Sequence, residues 1–262
     1  MSIIAEPWLA SYLQAWQRHQ IHFCLHPPMS LDADRLGQLP ARAEQLPQEA
    51  PAAVAVTGGP LTYRFSYAHH DRGKRGELNG SFLNAGMMQD ILFPALEALA
   101  PQTHLAMLCL APIYATEDLP ARAFLGKLDR FLGGLPRSCR YAVGIRNPEL
   151  LLPDYCACLR SHGIAHLFDE TAMPPLLDQI QIPGILTAEQ VVYRNTPTPY
   201  PGRTIDGEWE LGIVEMVRRC LAERKTCFFY LDEQTGAASL EALMTMLNAD
   251  LAKLSPLRKK AA

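Results

Sequence analysis

Three charged residues stand directly after short apolar runs, and their types are those that bind or activate anions. Arg146 follows "RYAVGI", Asp169 follows "IAHLF" and Arg194 follows "QVVY". A guanidinium offers paired donors at the spacing of carboxylate or phosphate oxygens, so two arginines on separate strands could together bind one anion. The alternative is that each arginine pairs with an acid such as Asp169 or Asp232 and closes a rim, and both interpretations stay open.

Two neighbouring features bear on this group. The sequence predicts that Asn147 caps a helix begun by Pro148, which would place free backbone N–H groups near Arg146. Asp169 is the best acid–base candidate, because it ends a buried strand where desolvation raises a carboxyl pKa unless an arginine offsets it. An ion-pair partner or a helix N-cap is the other role open to Asp169.

A second group of residues could bind a metal ion. In "HQIHFCLH" the residues His22, Cys24 and His26 alternate with apolar residues, so on a strand they share one face and would point into a barrel lumen. Imidazole and thiolate are zinc ligands, and His69, His70 or Asp169 could complete a set. Residues along one strand are about 3.3 Å apart per step, so three in line cannot all reach one ion. Packing in the lumen is therefore favoured, and no metal site is predicted.

The order of predicted elements indicates what positions these residues. Short apolar runs alternate with segments of helical spacing, a pattern typical of a parallel sheet covered by helices. The predicted strands are 21–25, 61–67, 105–110, 140–145, 164–168, 190–193 and 227–231. The main predicted helices are 82–100, 119–135, 147–163 and 206–225. No Gly-rich nucleotide-binding loop follows the early strands, which favours a closed (β/α) TIM-like barrel over an open doubly wound sheet.

The barrel would use residues 1–262 as a single domain, since about 250 residues is usual for this fold. The segment at about 27–60, rich in Pro, Ala and Gln, breaks the alternation. It is predicted to be an irregular excursion with at most a helix and one poor strand at Ala53–Val56.

Composition limits the partners and the compartment. The formal net charge is −3 and the pI about 6.2, which disfavours nucleic acid as a partner without excluding a local basic groove. No signal-like start and no apolar run long enough to cross a bilayer is found, so we expect no membrane partner.

The seven cysteines fall mostly in apolar runs, which favours reduced thiols and a cytoplasmic location. Cys156 and Cys158 lie two apart on a predicted helix, so they diverge and imply neither a disulfide nor a metal site.

Several segments together resemble the YecE-like family, a domain of unknown function numbered seventy-two. They are "RFSYAHH", "LAMLCLAPIY", "LPARAFLGKLDRFLGGLPRSCRYAVGIRNPELL", "CLRSHGIAHLFDE" and "VVYR". The resemblance spans roughly residues 61 to 250 and is most specific between Leu119 and Leu150. It implies a (β/α) barrel and an unassigned activity.

The chain also departs from the family's pattern. The family's first strand with its Gly-Trp signature has no counterpart, which predicts a barrel that is incomplete or irregular at the N-terminal strand. Ala68 stands where the family has a lysine, and Gly144 where it has an acid. If those positions carry the family's chemistry, we expect it to be lost or changed here.

In such barrels the active site lies at the carboxyl ends of the strands. We therefore expect a small phosphate- or carboxylate-bearing ligand there, with Asp169 as the catalytic residue. The predicted ligand-binding residues are Arg146, Asn147, Arg194, His26, His69 and Asp232. A metal-dependent phosphodiester hydrolase using His22, His26, His69 and Asp169 is one alternative, and a non-catalytic scaffold or binding protein is another. The sequence specifies no cofactor and no oligomeric state.

Overall fold

The computed structural model describes residues 14–24, 29–32, 52–65, 76–90, 103–113, 119–169, 175–195, 208–231 and 241–249. Within these ranges eight strands form one sheet, and every pairing between neighbours is parallel. The strands are β1 (Ile21–Cys24), β2 (Met29–Asp32), β3 (Ala52–Thr57), β4 (Thr103–Cys109), β5 (Arg140–Gly144), β6 (Ala165–Asp169), β7 (Gln190–Arg194) and β8 (Thr226–Tyr230).

The strand order explains why the sheet curls. It runs β1-β8-β7-β6-β5-β4-β3-β2, so β1 and β2 are the two edges although they are consecutive in the chain. The chain from Cys24 to Met29 can span at most about 18 Å, whereas the edges of a flat sheet of this width would lie about 34 Å apart. The sheet must therefore bend round, as in a TIM barrel. In the described residues no pairing joins β1 to β2, so the barrel is incomplete at this seam.

Among the described residues, four helices follow the strands. They are α1 (Ala121–Gly133), α2 (Pro153–Ser161), α3 (Leu176–Gln181) and α4 (Glu208–Glu223). Residues 14–17, 85–90 and 241–249 are also helical. The three- and four-residue spacing predicted for α1 is confirmed, because its buried residues are Phe124, Leu128, Phe131 and Leu132. The helix ends at the predicted glycine pair, and at Gly134 a Cβ would lie 2.5 Å from that of Ala85, so only glycine fits this close approach.

The sheet is buried on both faces, as expected of parallel strands covered by helices. The outer face packs against the helices through residues such as Ile21, Phe23 and Phe229. The inner face fills the lumen with Ala53, Ala55, Leu105, Met107, Cys109, Ala142, Ala165, Leu167, Val192, Phe228 and Tyr230. Small residues face large ones there; a methyl on Gly144 would lie 3.1 Å from Leu167 Cδ2. The lumen at this level is a packed core.

Three local predictions are corrected. The predicted strand at 61–67 is absent from the described part of that segment, where Gly59–Leu61 is a 3-10 turn and Arg64 makes one antiparallel bridge to Leu78. The segment at 27–60 contains β3, as predicted, and also β2, which was not predicted. The helix predicted to start at Pro148 starts at Pro153, and Pro148–Leu150 is a separate 3-10 turn.

Candidate functional site

The register of the sheet sets four side chains side by side at the carboxyl ends of adjacent strands. Asp169 pairs with Arg194, Arg194 with Tyr230, and Tyr230 with Cys24. The alternation of each strand directs these residues to the lumen side, because Tyr230 belongs to the inner cluster and Cys24 packs against it. We call this region, with Cys109 and Arg146, the mouth.

The centre of the mouth is an ion pair between Arg194 and Asp169. Arg194 Nη2 donates to Asp169 Oδ2, and the two side chains are only 9% and 6% exposed. Burial acts to lower the pKa of Arg194, but its neighbours Cys109 and Asp169 outweigh this, so the pKa is raised and the guanidinium stays charged. Arg194 therefore has the structural role that was given above as the alternative to anion binding, an ion pair with an acid at the rim.

Cys109, the last residue of β4, lies beneath this pair. Its thiol is buried and donates weakly to the Met107 carbonyl at 3.6 Å. Burial raises its pKa, against the opposing effects of Arg194 and Arg146, so the group is a thiol and not a thiolate nucleophile at neutral pH. The sequence analysis counted Cys109 among the core residues. Its position at a strand end, two residues after the inward-facing Met107, was the feature that could have predicted its place in the mouth.

Arg146 stands apart from the pair. It lies two residues beyond β5, in the same alternation as Ala142 of the inner cluster, and its side chain is exposed. It acts electrostatically on Cys109, as Arg194 does. No ion pair to Arg146 occurs within the described ranges. The mouth therefore combines one neutralised and one accessible guanidinium.

Asn147 is not an N-cap with a side-chain bond, which corrects its predicted role. Its buried side chain accepts from the Ile113 N–H at 2.8 Å and donates to the Ile113 carbonyl at 3.0 Å and to Glu149 Oε1 at 2.7 Å. These bonds fasten the segment that leaves β4 to the segment that leaves β5. Asn147 thus holds the backbone beside Cys109 and Arg146.

The predicted alternation of β1 is confirmed. Ile21 and Phe23 join the outer core, whereas His22 stacks on the lumen residue Phe228 with ring centroids 4.9 Å apart. Burial lowers the pKa of His22 and raises that of Cys24 to about 12.

Two donors in the mouth lack an ordinary partner. The buried Arg194 Nε and the buried Tyr230 hydroxyl make no regular hydrogen bond with the described residues, although the Cys109 thiol is a weak partner of the Arg194 side chain and the Cys24 thiol of Tyr230.

Three predicted ligand-binding residues, His26, His69 and Asp232, lie outside the described residues, and their roles stay predictions. The strand expected to lead to His69 is not formed at 61–65. The metal-dependent alternative rested on His26 and His69, so it also stays a prediction.

A cavity of about 570 Å³ lies at the opposite, amino-terminal ends of the strands. Its cationic lining comes from Arg140 at the start of β5, Arg160 on α2 and Lys225 just before β8. Sequence reasoning did not predict it. We call it the amino-end cavity.

The fold and the mouth together define a TIM-like (β/α) barrel that is incomplete at one seam and carries charged residues at the carboxyl ends of its strands. The sequence profile of DUF72, a protein family of unknown function, matches residues 66–261, and the chain belongs to this family.

Two solved structures of DUF72 proteins resemble the chain. One is from Thermotoga maritima, with 14% identity, a TM-score of 0.47, and coverage of 90% of this chain and 87% of that one. The other is from Enterococcus faecalis, with 9% identity, a TM-score of 0.47, and coverage of 94% and 95%. No curated protein matches the chain. Among the described helices, none has the length and apolarity needed to cross a bilayer.

Proposed function

We propose that the protein binds a small anion, carrying a carboxylate or phosphate, at the mouth. The observation that carries the proposal is the approach of Arg146 and Arg194 to Cys109 from strands on either side of β6, with Asp169 as the described acid between them. Two guanidiniums and one carboxylate leave one positive charge. A partly desolvated surface strengthens the attraction of that charge for an anion.

Two weakly partnered donors support the same proposal. Arg194 Nε and the Tyr230 hydroxyl are buried and have only thiols beside them in the described part of the chain. A buried donor without an acceptor costs about 1–3 kcal/mol, so a ligand oxygen that reaches such a donor removes part of that cost. Arg146 would supply the accessible charge and Arg194 a fixed donor.

Asp169 has two parts in this proposal. Its carboxylate orients the Arg194 guanidinium, because a planar fork held on one side by an acid presents its remaining N–H groups in a fixed direction. Asp169 is also the acid–base group we assign to any reaction at the mouth, since it is the acid that ends β6 beside Arg194.

The filled lumen supports a second candidate, a non-catalytic scaffold that binds no small anion at the mouth. The inner cluster occupies the space below the mouth, so a ligand would rest on the strand ends and could not enter the barrel. The binding experiment separates the two candidates.

The test is a thermal-shift and calorimetric titration with inorganic phosphate and with succinate at constant ionic strength. Arg146→Ala is compared with Arg140→Ala, a matched control because Arg140 is an exposed arginine at the other end of the same strand. We expect phosphate to raise Tm in the wild type and in Arg140→Ala, and Arg146→Ala to bind at least about tenfold more weakly. Equal binding by all three proteins, or loss only in Arg140→Ala, would reject the mouth as the site. No binding by the wild type favours the scaffold.

A further inference from the structure

Three possible metal ligands of different types meet on the outside of the barrel. They are Asp129 of α1, Cys158 of α2 and His162, the residue that follows α2. One donor atom from each lies within 4.8 Å of the other two. His162 Nε2 is already 2.9 Å from Asp129 Oδ1.

The packing of α1 against α2 produces this arrangement. Cys158 and His162 are four residues apart and so lie on one side of the helix, and Asp129 is presented by α1. The end of α2 is fixed as well, because Arg137 Nη1 donates to the His162 carbonyl at 3.2 Å. Gly133 lies beside the imidazole, since a Cβ there would be in van der Waals contact with His162 Cε1 at 3.5 Å. The side chains are exposed to half-buried, so an ion could reach them.

The donor types select a class of metal. Thiolate and imidazole favour Zn²⁺ and similar ions such as Co²⁺, whereas Mg²⁺ and Ca²⁺ prefer oxygen donors alone. Zinc bonds of about 2.0–2.3 Å in a tetrahedron set neighbouring donor atoms about 3–4 Å apart. The His162 and Asp129 atoms are already near this spacing, and the remaining distances need only small changes of side-chain rotamer.

We propose that Asp129, Cys158 and His162 bind one Zn²⁺-class ion, with water in the fourth position. On binding, the Cys158 thiol releases its proton to solvent and its sulfur bonds the metal. The His162 ring changes tautomer by proton exchange with solvent, so that Nδ1 carries the proton and Nε2 bonds the metal in place of its contact with Asp129. The thiolate and the carboxylate together balance the two positive charges of the ion. The metal links α1 to α2, so it stabilises the folded chain.

Cobalt spectroscopy tests the proposal, because a thiolate bonded to Co²⁺ gives a near-ultraviolet charge-transfer band that oxygen and nitrogen ligands do not give. The full chain, reduced and stripped with a chelator, is titrated with Co²⁺ and then with Zn²⁺. We expect one equivalent of Co²⁺ to produce the band, Zn²⁺ to displace it, and Zn²⁺ to raise Tm.

Cys158→Ser should abolish the band and weaken Zn²⁺ binding by more than about tenfold, since loss of even an outer-sphere partner costs that much. Cys139→Ser is the control, because Cys139 is another half-buried thiol outside the cluster. It should keep the band and the Tm rise. A wild type with no stoichiometric band, or a band lost in Cys139→Ser and kept in Cys158→Ser, overturns the proposal and leaves Asp129 and His162 as a surface ion pair.

Discussion

The two ends of the barrel hold similar charges in different surroundings. At the mouth, Arg194 and Asp169 pair with side chains 9% and 6% exposed. At the amino-end cavity, Lys225 and Glu189 lie 3.7 Å apart, and the Glu189 side chain is 95% exposed. Water screens the second pair and is excluded from the first, so only the first is strongly coupled to folding. The cavity of about 570 Å³ is at the end where the charges are solvated.

The two ends therefore differ in what they offer a ligand: one has a cavity, and the other has buried polar groups. An open cavity lined by solvated cations offers a ligand little that water does not already provide. A mouth with a buried pair and weakly partnered donors offers preorganised groups, even where its floor is packed. This difference is the reason that we propose the mouth as the binding site, and the following measurements test it.

The largest effect is expected from Asp169→Ala. Removing the carboxylate leaves the Arg194 guanidinium buried without its partner, which typically costs about 3–5 kcal/mol of unfolding free energy. Urea denaturation of the variant and the wild type measures it. The double variant Asp169→Leu with Arg194→Met should recover most of the loss, because apolar replacement of both partners removes the unpaired charge.

Glu215→Gln is the control for Asp169→Ala. It removes the acid of an exposed pair with Arg218 on α4 and should change stability by less than about 0.5 kcal/mol. A loss of less than about 1 kcal/mol in Asp169→Ala would show that water reaches the mouth pair as freely as it reaches the amino-end cavity.

The next effect is a dependence of stability on pH that arises from His166. The imidazole lies on the outer side of β6, between Tyr155 Oη at 3.1 Å and Gln179 Oε1 at 3.3 Å. Burial lowers its pKa to about 4, although Gln179 and Asp169 act in the opposite direction. The unfolded chain thus binds a proton at His166 below pH 6.5, whereas the folded chain binds it only near pH 4. Stability should fall by up to about 3 kcal/mol between pH 6.5 and 4 and level off below.

Denaturation of the wild type and of His166→Gln at several pH values isolates this contribution. The variant should lose stability overall but show a flatter profile between pH 6.5 and 4. His22, whose pKa burial also lowers, is present in both proteins and cancels in the difference. Parallel profiles would mean that the pKa of His166 is the same in the folded and the unfolded chain.

A third measurement concerns the frame around the mouth. Asn147→Ala removes two bonds to the buried Ile113 backbone and should cost about 2 kcal/mol. It should also weaken phosphate binding, because the segments behind Cys109 and Arg146 are no longer fastened together. Asn84→Ala, which removes a single exposed bond to Met87 N, should cost about 1 kcal/mol and leave binding unchanged. Unchanged phosphate affinity in Asn147→Ala would contradict the positioning role.

Sequence reasoning located β4 to β8 within two residues, because strands buried on both faces read as continuous apolar runs. It missed β2, whose four residues "MSLD" include Ser and Asp. It also placed a strand at 61–67, where Leu61 and Tyr63 are buried but lie in a 3-10 turn and the residues after it. Burial there comes from packing of a turn, which alternation alone does not distinguish from a strand.

The positions of Arg146, Asp169 and Arg194 at strand ends were predictable, but their partners were not. The Arg194–Asp169 contact depends on the register of β6 against β7, and Asn147 contacts Ile113 across a gap of 34 residues. The Asp129, Cys158 and His162 cluster was missed for a similar reason. Cys158 was compared only with its neighbour on the same helix, whereas its contacts come from the packing of two helices.

The smallest effect is expected at the amino-end cavity. Lys225→Met keeps the side-chain stem, which is mostly buried, and removes only the ammonium that faces Glu189. Since Glu189 is solvated, we expect a change of less than about 0.5 kcal/mol and no change in phosphate affinity. Lys225→Ala, which also removes the stem, should cost more than Lys225→Met. If Lys225→Met instead loses more than about 1.5 kcal/mol, the cavity encloses a desolvated pair, and its volume and charge would then compete with the mouth as a binding site.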